Sequence, residues 1–332
     1  MQKVVGKMEI EVCPGTLARG YHTYSPTCLK RMFNGKKVSP VLPYDSPSMN
    51  EATDELFLEN ISRISLSGVQ EKFSVLLEKN KLRLIRAGEQ GAYILKPIPG
   101  AGKQADQMPA NEHLTMQIAR QVFDIETAEN ALIFFKNGEP AYITKRFDSK
   151  EDGSKWASED FASLAGRTPQ THGKDYKYVG NYLELFGVMK KFLPIYQIEA
   201  PKLFTLILFN YLFSNGDAHF KNFSLLETPL GDYKLSPAYD LLNSHIHVND
   251  TDFALEDGLL PKSLAHGKIF QQFRILGENA GIHQKIVEAI IENLLSKEER
   301  VKELTEASFL NKSAKLNYLQ SYETRLNKMM RL

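Results

Sequence analysis

The octet Asn215-Gly216-Asp217-Ala218-His219-Phe220-Lys221-Asn222 opens where the apolar run Leu203 to Phe213 ends, and Asp240 follows in Leu235-Ser236-Pro237-Ala238-Tyr239-Asp240. Asp217 and Asn222 stand five apart, with His219 and Lys221 between them. One short loop can put both to use in phosphoryl transfer. The Asp faces a hydroxyl that attacks a γ-phosphate, and the Asn turns back to hold a magnesium ion on the phosphates. A second metal-binding Asp must then arrive from a later strand or turn, and Asp240 is the candidate. The ordinary role of Asn-Gly-Asp is a turn, because these residues tolerate unusual backbone angles. The chemistry therefore requires the rest of a phosphate-transfer site upstream.

The elements that would position such a site can be read in order. Leu203 to Phe213 reads as a buried helix. Alternation at Ile64/Leu66 and at Phe73/Val75/Leu77 predicts two strands around a turn at Gly68. Backbone N–H groups at such a tip can meet phosphate oxygens, although a plain hairpin explains it equally. Ala92 to Pro97 is an apolar strand carrying Lys96. In the helix that follows, Asn111 is expected to cap the start and Glu112 to lie in the first turn, with Leu114, Ile118 and Val122 as the buried stripe. Glu112 would then be placed to pair with Lys96. Ala131 to Phe135 and Ala141 to Phe147 form a hairpin turned at Asn137-Gly138. The polar stretch Glu151 to Lys155 marks a lobe boundary.

With 332 residues, 42% of them hydrophobic, the chain can bury a large core in two domains or lobes. Lys+Arg number 41 against 40 Asp+Glu, a net charge of +1, so no global charge calls for nucleic acid or an anionic membrane. Two cysteines, Cys13 and Cys28, imply no disulfide scaffold. With His22 they fall short of a tetrahedral metal set. No run is long enough to span a bilayer, and the start lacks a signal-peptide core; a cytoplasmic setting is expected. Residues 1–50 read as irregular, with Pro40, Pro43 and Pro47 marking an extended connector. Tyr182 to Phe192 and Val287 to Leu295 carry helical patterns. Gln170 to Tyr178 is a polar loop, an idle surface loop or a substrate contact, and a solvated helix face explains the basic tail Lys312 to Arg331 as well as a partner site does.

The ordered set Ser-x-Ser-Gly-Val-Gln-Glu-Lys, strand Lys, helix Glu, Lys-Arg-Phe-Asp, Gly-Asp-x-His-x-Lys-Asn and Tyr-Asp resembles the HipA family of serine/threonine kinases, the toxins of HipBA-type toxin–antitoxin systems. The match runs from about Ser62 to Asp240 and includes Glu159-Asp160-Phe161 and Leu164-Ala165-Gly166. The chain looks like the compact HipT branch, in which an N-terminal subdomain can be a separate protein, HipS. The resemblance implies an α+β, two-lobed protein-kinase-like fold with a β-rich N-lobe and a mostly α-helical C-lobe. Residues 1–55 would pack on the N-lobe, 56–150 form it, and 151–332 make the C-lobe.

The same resemblance implies the roles. Asp217 is the catalytic base, completed by His219 and Lys221. Asn222 and Asp240 hold Mg2+. Lys96 binds the phosphates of ATP and pairs with Glu112. Ser67, Gly68, Val69, Gln70, Glu71 and Lys72 form the phosphate loop. Lys145, Arg146 and Phe147 form the adenine hinge, and His219, Asn222 and Tyr239 lie along the nucleotide. Ser65 and Ser67, flanking Leu66, would be autophosphorylated and inactivate the kinase, since a phosphoserine brings about −1.5 to −2 charges beside a site built for phosphates. A HipB-like DNA-binding antitoxin and an aminoacyl-tRNA synthetase substrate are implied. Unlike ordinary protein kinases, the chain has no His-Arg before Asp217, no Phe-Gly after Asp240 and no Ala-Pro-Glu. A silent corepressor scaffold and a small-molecule kinase are the rival expectations.

Overall fold

A computed structural model describes residues 10–47, 71–150, 152–249 and 251–331. The expected hairpin turn at Gly68, with Ser65, Ser67, Val69 and Gln70, lies outside the described residues.

Five antiparallel strands make the main sheet: β1 Phe73–Glu78, β2 Lys81–Leu84, β3 Tyr93–Lys96, β4 Asn130–Phe134 and β5 Pro140–Lys145, in the order β2-β1-β3-β5-β4. Both faces of this sheet are covered, which is why every residue of β4 is buried. One face meets the N-terminal segment, where Cys13, Tyr24, Cys28, Met32 and Phe33 pack on Phe73, Leu95, Ile133 and Ile143. That segment is not irregular, as its sequence was expected to be. It contains α1, Pro26–Phe33, capped by the Ser25 side chain accepting the Cys28 N–H at 3.2 Å, with Pro26 at its first position. It also runs beside β4 through a parallel bridge between Val41 and Phe134.

The other face of the sheet meets α2, Met108–Phe123. This helix separates the sheet from the helical lobe and is buried almost all round. It begins three residues before Asn111, so Asn111 is not its cap and Glu112 is not in its first turn. The chain instead enters through a short 3-10 turn at Ala105–Gln107, and Pro109 sits where a proline costs a helix nothing.

The helical lobe comprises α3 Phe161–Leu164, α4 Pro169–His172, α5 Tyr182–Phe192, α6 Tyr196–Leu212, α7 Ile269–Asn279, α8 Gln284–Leu295, α9 Glu298–Ala307 and α10 Lys312–Met330. The apolar run lies in α6, whose core position explains its lack of a polar face. The basic tail is α10, and it is not simply a solvated face. Arg325 is 3% exposed and ion-paired with Asp252, beside buried Tyr318 and Tyr322. A second sheet, β6 Ser158–Asp160, β7 Ser224–Glu227 and β8 Tyr233–Leu235, in the order β6-β7-β8, lies beside α6. Its strands β7 and β8 carry the chain out of the Asp217 loop and back towards Asp240. Among the described residues no helix is long and apolar enough to cross a membrane.

Candidate active site

Lys96 ends β3 opposite Tyr142 of β5, and its ammonium stands 5.3 Å from the centre of that ring. The same nitrogen donates to Glu112 Oε1 at 2.6 Å and to Asp240 Oδ1 at 2.5 Å. Lys96 and Glu112 are each 3% exposed. Charges this deep persist only when paired. Burial works against the Lys96 charge, but Asp240 and then Glu112 outweigh it and raise its pKa. Burial likewise pushes the Asp240 carboxyl up, and Lys96 with Lys72 outweighs it, holding Asp240 below the usual carboxylate range. Glu112 goes the other way: burial raises it more than Lys96 can lower it.

Asp240 reaches Lys96 because its backbone is held on both sides. Just before it, Ala238 donates its N–H to Glu126 O and accepts from Ala128 N–H, which ties the strand to the segment after α2. Asp240 itself sits at φ +55°, a left-handed conformation that costs a non-glycine residue roughly 1–2 kcal/mol. Such strain survives where the surroundings over-determine it. Its second oxygen, Oδ2, lies 3.5 Å from Lys72 Nζ. Both carboxylate oxygens therefore face ammonium groups.

Lys72, Lys96, Thr144, Asp160, Lys221 and Asp240 line a cleft of about 330 Å³, with the 145–148 segment and Tyr239. Lys145, Arg146 and Phe147 thus lie along the cleft. The Lys145 side chain turns away to Asn34 Oδ1 at 2.8 Å. The N–H groups of Lys145 and Arg146 are spent on Glu129 O and Ala92 O. Arg146 forks onto Asp148 at 2.9 and 2.6 Å. Across the cleft, Lys221 Nζ is 3.9 Å from Asp160 Oδ2, and the rings of Phe147 and Tyr239 are 5.6 Å apart.

The Asp217 loop leaves α6 through Phe213 and turns at Ser214. Asn222 closes it: its Oδ1 accepts the His219 N–H at 3.1 Å within the 3-10 turn Phe220–Asn222. The Tyr239 hydroxyl donates to Lys221 O at 2.8 Å, so the Ser224 hydroxyl donates to Tyr239 at 2.5 Å. Asn215 Nδ2 reaches Asp240 O at 3.5 Å, joining the loop to the Asp240 turn. Asp217 points outward, its side chain 54% exposed, with His219 Nε2 3.9 Å away. Burial lowers the His219 pKa to about 4, so the ring is neutral.

Two contributors were not singled out from sequence. The Tyr178 hydroxyl donates to Asp217 Oδ1 at 2.7 Å, and its ring meets His219 edge-on at 5.0 Å. Tyr178 lies in the polar loop read as one stretch, and 39 residues separate it from Asp217. Asp160, of the Glu159-Asp160-Phe161 motif, caps α3 by accepting the Ser163 N–H and faces Lys221. Glu71 is described and exposed. Among the described residues no group of three or more His, Cys, Asp or Glu stands ready to hold a metal ion. The candidate metal oxygens are one carboxylate, Asp240, and one amide, Asn222. Both are hard donors of the kind a magnesium ion takes.

Comparison with known proteins agrees with this architecture. The HipA-like C-terminal domain family matches residues 64–301. A Haemophilus influenzae protein named "Putative kinase" is 25% identical over 327 residues, covering 91% of each chain. The Sinorhizobium fredii protein "Putative kinase Y4dM" is 31% identical over 224 residues, 63% of this chain and 52% of that one. Among solved structures, Shewanella oneidensis HipA, determined with HipB and its operator DNA, superposes with a TM-score of 0.60 at 20% identity, covering 81% of this chain and 65% of that one. The Helicobacter pylori proinflammatory kinase CtkA superposes with a TM-score of 0.51 at 14% identity, covering 77% and 92%. The fold is therefore α+β and protein-kinase-like, with a β-rich lobe and a mostly helical one, and the chain belongs to the HipA-like C-terminal domain family.

Proposed function

We propose that this chain is an ATP- and Mg2+-dependent serine/threonine protein kinase, the toxin of a HipBA- or HipBST-type toxin–antitoxin pair. One observation carries the chemical part. A single buried ammonium, Lys96, joins Glu112 of α2 to Asp240 in the lining of the cleft. That pairing is what a phosphate-gripping lysine requires.

Each residue then has a task. Lys96 would grip the phosphates of ATP, and Lys72, the last residue of the phosphate loop Ser67 to Lys72, would join it there. Asn222 and Asp240 would hold the magnesium ion, whose charge offsets that of the β- and γ-phosphates. Asp240 would give its oxygens to the metal, and Lys72 and Lys96 would then be left to the phosphates. The segment Lys145 to Phe147 receives adenine. Asp217 already accepts a hydroxyl hydrogen, that of Tyr178, which is the task a general base performs on an acceptor serine. The acceptor oxygen bonds to the γ-phosphorus, the bond from that phosphorus to the β–γ bridging oxygen breaks, ADP leaves, and the hydroxyl proton passes to Asp217. Neutral His219 supports the loop, and Lys221 offsets charge on the phosphoryl group in transit.

The protein's wider role follows from its family. The solved relative determined with HipB and operator DNA supports a HipB-like antitoxin as partner, and DNA contact only through that partner is part of the proposal. A HipS-like protein, an aminoacyl-tRNA synthetase as substrate, cytoplasmic action, a lobe division near residue 150 and inactivation by phosphate on Ser65 or Ser67 complete the proposal. The test is γ-phosphate transfer from labelled ATP to purified synthetases and to the chain itself, with Asp217→Ala alongside. Label on a synthetase, and on Ser65 or Ser67 by mass spectrometry, absent with Asp217→Ala, is the expected result. Label found only on small hydroxyl compounds would assign a small-molecule kinase. Growth inhibition that survives Asp217→Ala would assign a scaffold.

A further inference from the structure

Asn111 immediately precedes the glutamate that grips Lys96, and it is fully buried. One helical step of about 100° turns it away from the cleft. There its amide pairs with the backbone of Asn243, three residues beyond Asp240. The Asn243 N–H donates to Asn111 Oδ1 at 3.0 Å, and Asn111 Nδ2 donates back to Asn243 O at 2.8 Å. The same Nδ2 stands 2.9 Å from His247 Nε2. His247 Nδ1 lies 3.0 Å from Lys103 O, which can only accept. Nδ1 therefore carries the ring proton, and Nε2 accepts the second hydrogen of Asn111. Three bonds from one side chain hold the segment after Asp240 against α2.

The opposite side of that segment holds the Asp217 loop. Ser244 donates its N–H and its hydroxyl to Ser214 O at 3.0 and 2.9 Å, and its hydroxyl oxygen accepts the Gly216 N–H at 2.9 Å. Asn243 and Ser244 are neighbours, so α2 reaches the Asp217 loop through two consecutive residues. Glu112 and Asn111 thereby bind one helix to Lys96, to the Asp240 turn and to the loop before Asp217.

We infer that Asn111 is a positioning residue, a polar latch through which α2 sets the Asp240 turn and the Asp217 loop in register with Lys96. The inference rests on the kinase reading for its consequence in catalysis, and on geometry alone for the latch. Because Asn111 pairs with the main chain, the latch does not depend on the side chain of Asn243. Any displacement of α2 moves the ammonium grip and the metal turn together.

Asn111→Leu keeps the branched outline and heavy-atom count of the side chain and removes all three bonds, together with the contact from the Thr115 hydroxyl at 3.3 Å. Hydrogen–deuterium exchange on the full chain, without nucleotide, reads the latch directly. The Asn243 and Gly216 amides should exchange about tenfold faster or more, the scale of one lost buried hydrogen bond, while α6 amides keep their protection. Unchanged exchange at both positions, or a change confined to α2, overturns the latch. Ser244→Ala cuts only the loop side and should speed Gly216 while sparing Asn243. It decides the matter if Asn111→Leu does not fold, and equal effects at both positions would contradict the order of the chain of contacts.

Kinetics then test positioning. At saturating ATP, Asn111→Leu should raise the magnesium concentration for half-maximal phosphoryl transfer about tenfold. A lower rate with an unmoved magnesium midpoint would mean loss of folded protein only, and would overturn the positioning role. If the unaltered chain transfers no phosphate, the kinase reading fails, and the exchange experiment still judges the latch.

Discussion

Lys96 Nζ and Asp240 Oδ1 lie 2.5 Å apart although 144 residues separate them in the chain. The contact brings the end of a sheet strand to a turn of the helical lobe, and it draws Glu112 in from α2. Stability and nucleotide binding should therefore both depend on one ammonium group.

Lys96→Met leaves the buried Glu112 carboxyl without its counter-charge and leaves Asp240, its side chain 27% exposed, with Lys72 alone at 3.5 Å. Removing one partner of a buried pair costs roughly 3–5 kcal/mol. Urea unfolding should show a loss of that size, and titration with ATP should show weakened binding. Unchanged stability would mean that the trio is not held as described.

Asp217→Ala should lower phosphoryl transfer by about 10²–10⁴-fold, the contribution of a positioned general base. Its side chain is 54% exposed and does not line the cleft beside Lys96, so ATP affinity should stay within about twofold of the unaltered chain, since a half-exposed side chain outside the cleft carries little binding energy. A rate loss matched by an equal loss in ATP affinity would place Asp217 in nucleotide binding instead.

Tyr178→Phe removes a hydroxyl that holds the Asp217 carboxylate at 2.7 Å. A hydrogen bond to a charged group contributes about 1.5–3 kcal/mol, so kcat should fall roughly tenfold or more with the KM for ATP unchanged. A rise in kcat would mean that Tyr178 blocks the acceptor hydroxyl rather than orienting its base.

The site was legible where chemistry follows the chain locally. The strand ending in Lys96, the hairpin at Asn137-Gly138 and the helix Tyr182–Phe192 all stand where their patterns put them, and Glu112 does meet Lys96. What failed was local propensity under tertiary override. Asn111 resembles a helix cap, yet its amide is used by Asn243 across the fold, and the helix starts earlier at Met108. Ser25-Pro26 carried the start signal of α1, but the surrounding glycines and prolines hid an eight-residue helix. Arg325 looks like one more basic residue of a tail, because nothing nearby in sequence announces Asp252 or the Tyr211 ring 5.0 Å beneath it. Tyr178 could not be paired with Asp217 from spacing alone.

Buried imidazoles give the fold an acid limit, His247 being lowered by burial along with His219 and His113. Burial lowers both His219 and His113 to about 4 from an ordinary 6.5. Between those values the unfolded chain binds protons that the folded chain refuses. Stability is therefore complete above about pH 6.5 and falls towards pH 4, by ~1.4 kcal/mol per pH unit for each ring. Unfolding free energies measured across that window should show the slope, and His113→Asn should reduce it. A flat profile would mean that both rings take up protons freely in the folded state.

Phosphoryl transfer by this chain requires Lys96, Asn222 and Asp240 to meet one nucleotide, with Asp217 beside it. A crystal structure with a non-hydrolysable ATP analogue and Mn2+, located by its anomalous signal, tests this most directly. The metal should lie about 2.0–2.3 Å from an Asp240 carboxylate oxygen and from Asn222 Oδ1, with Lys96 on the α- and β-phosphates. A triphosphate bound away from Lys96, or a metal that leaves Asp240 in the grip of its two lysines, would contradict it.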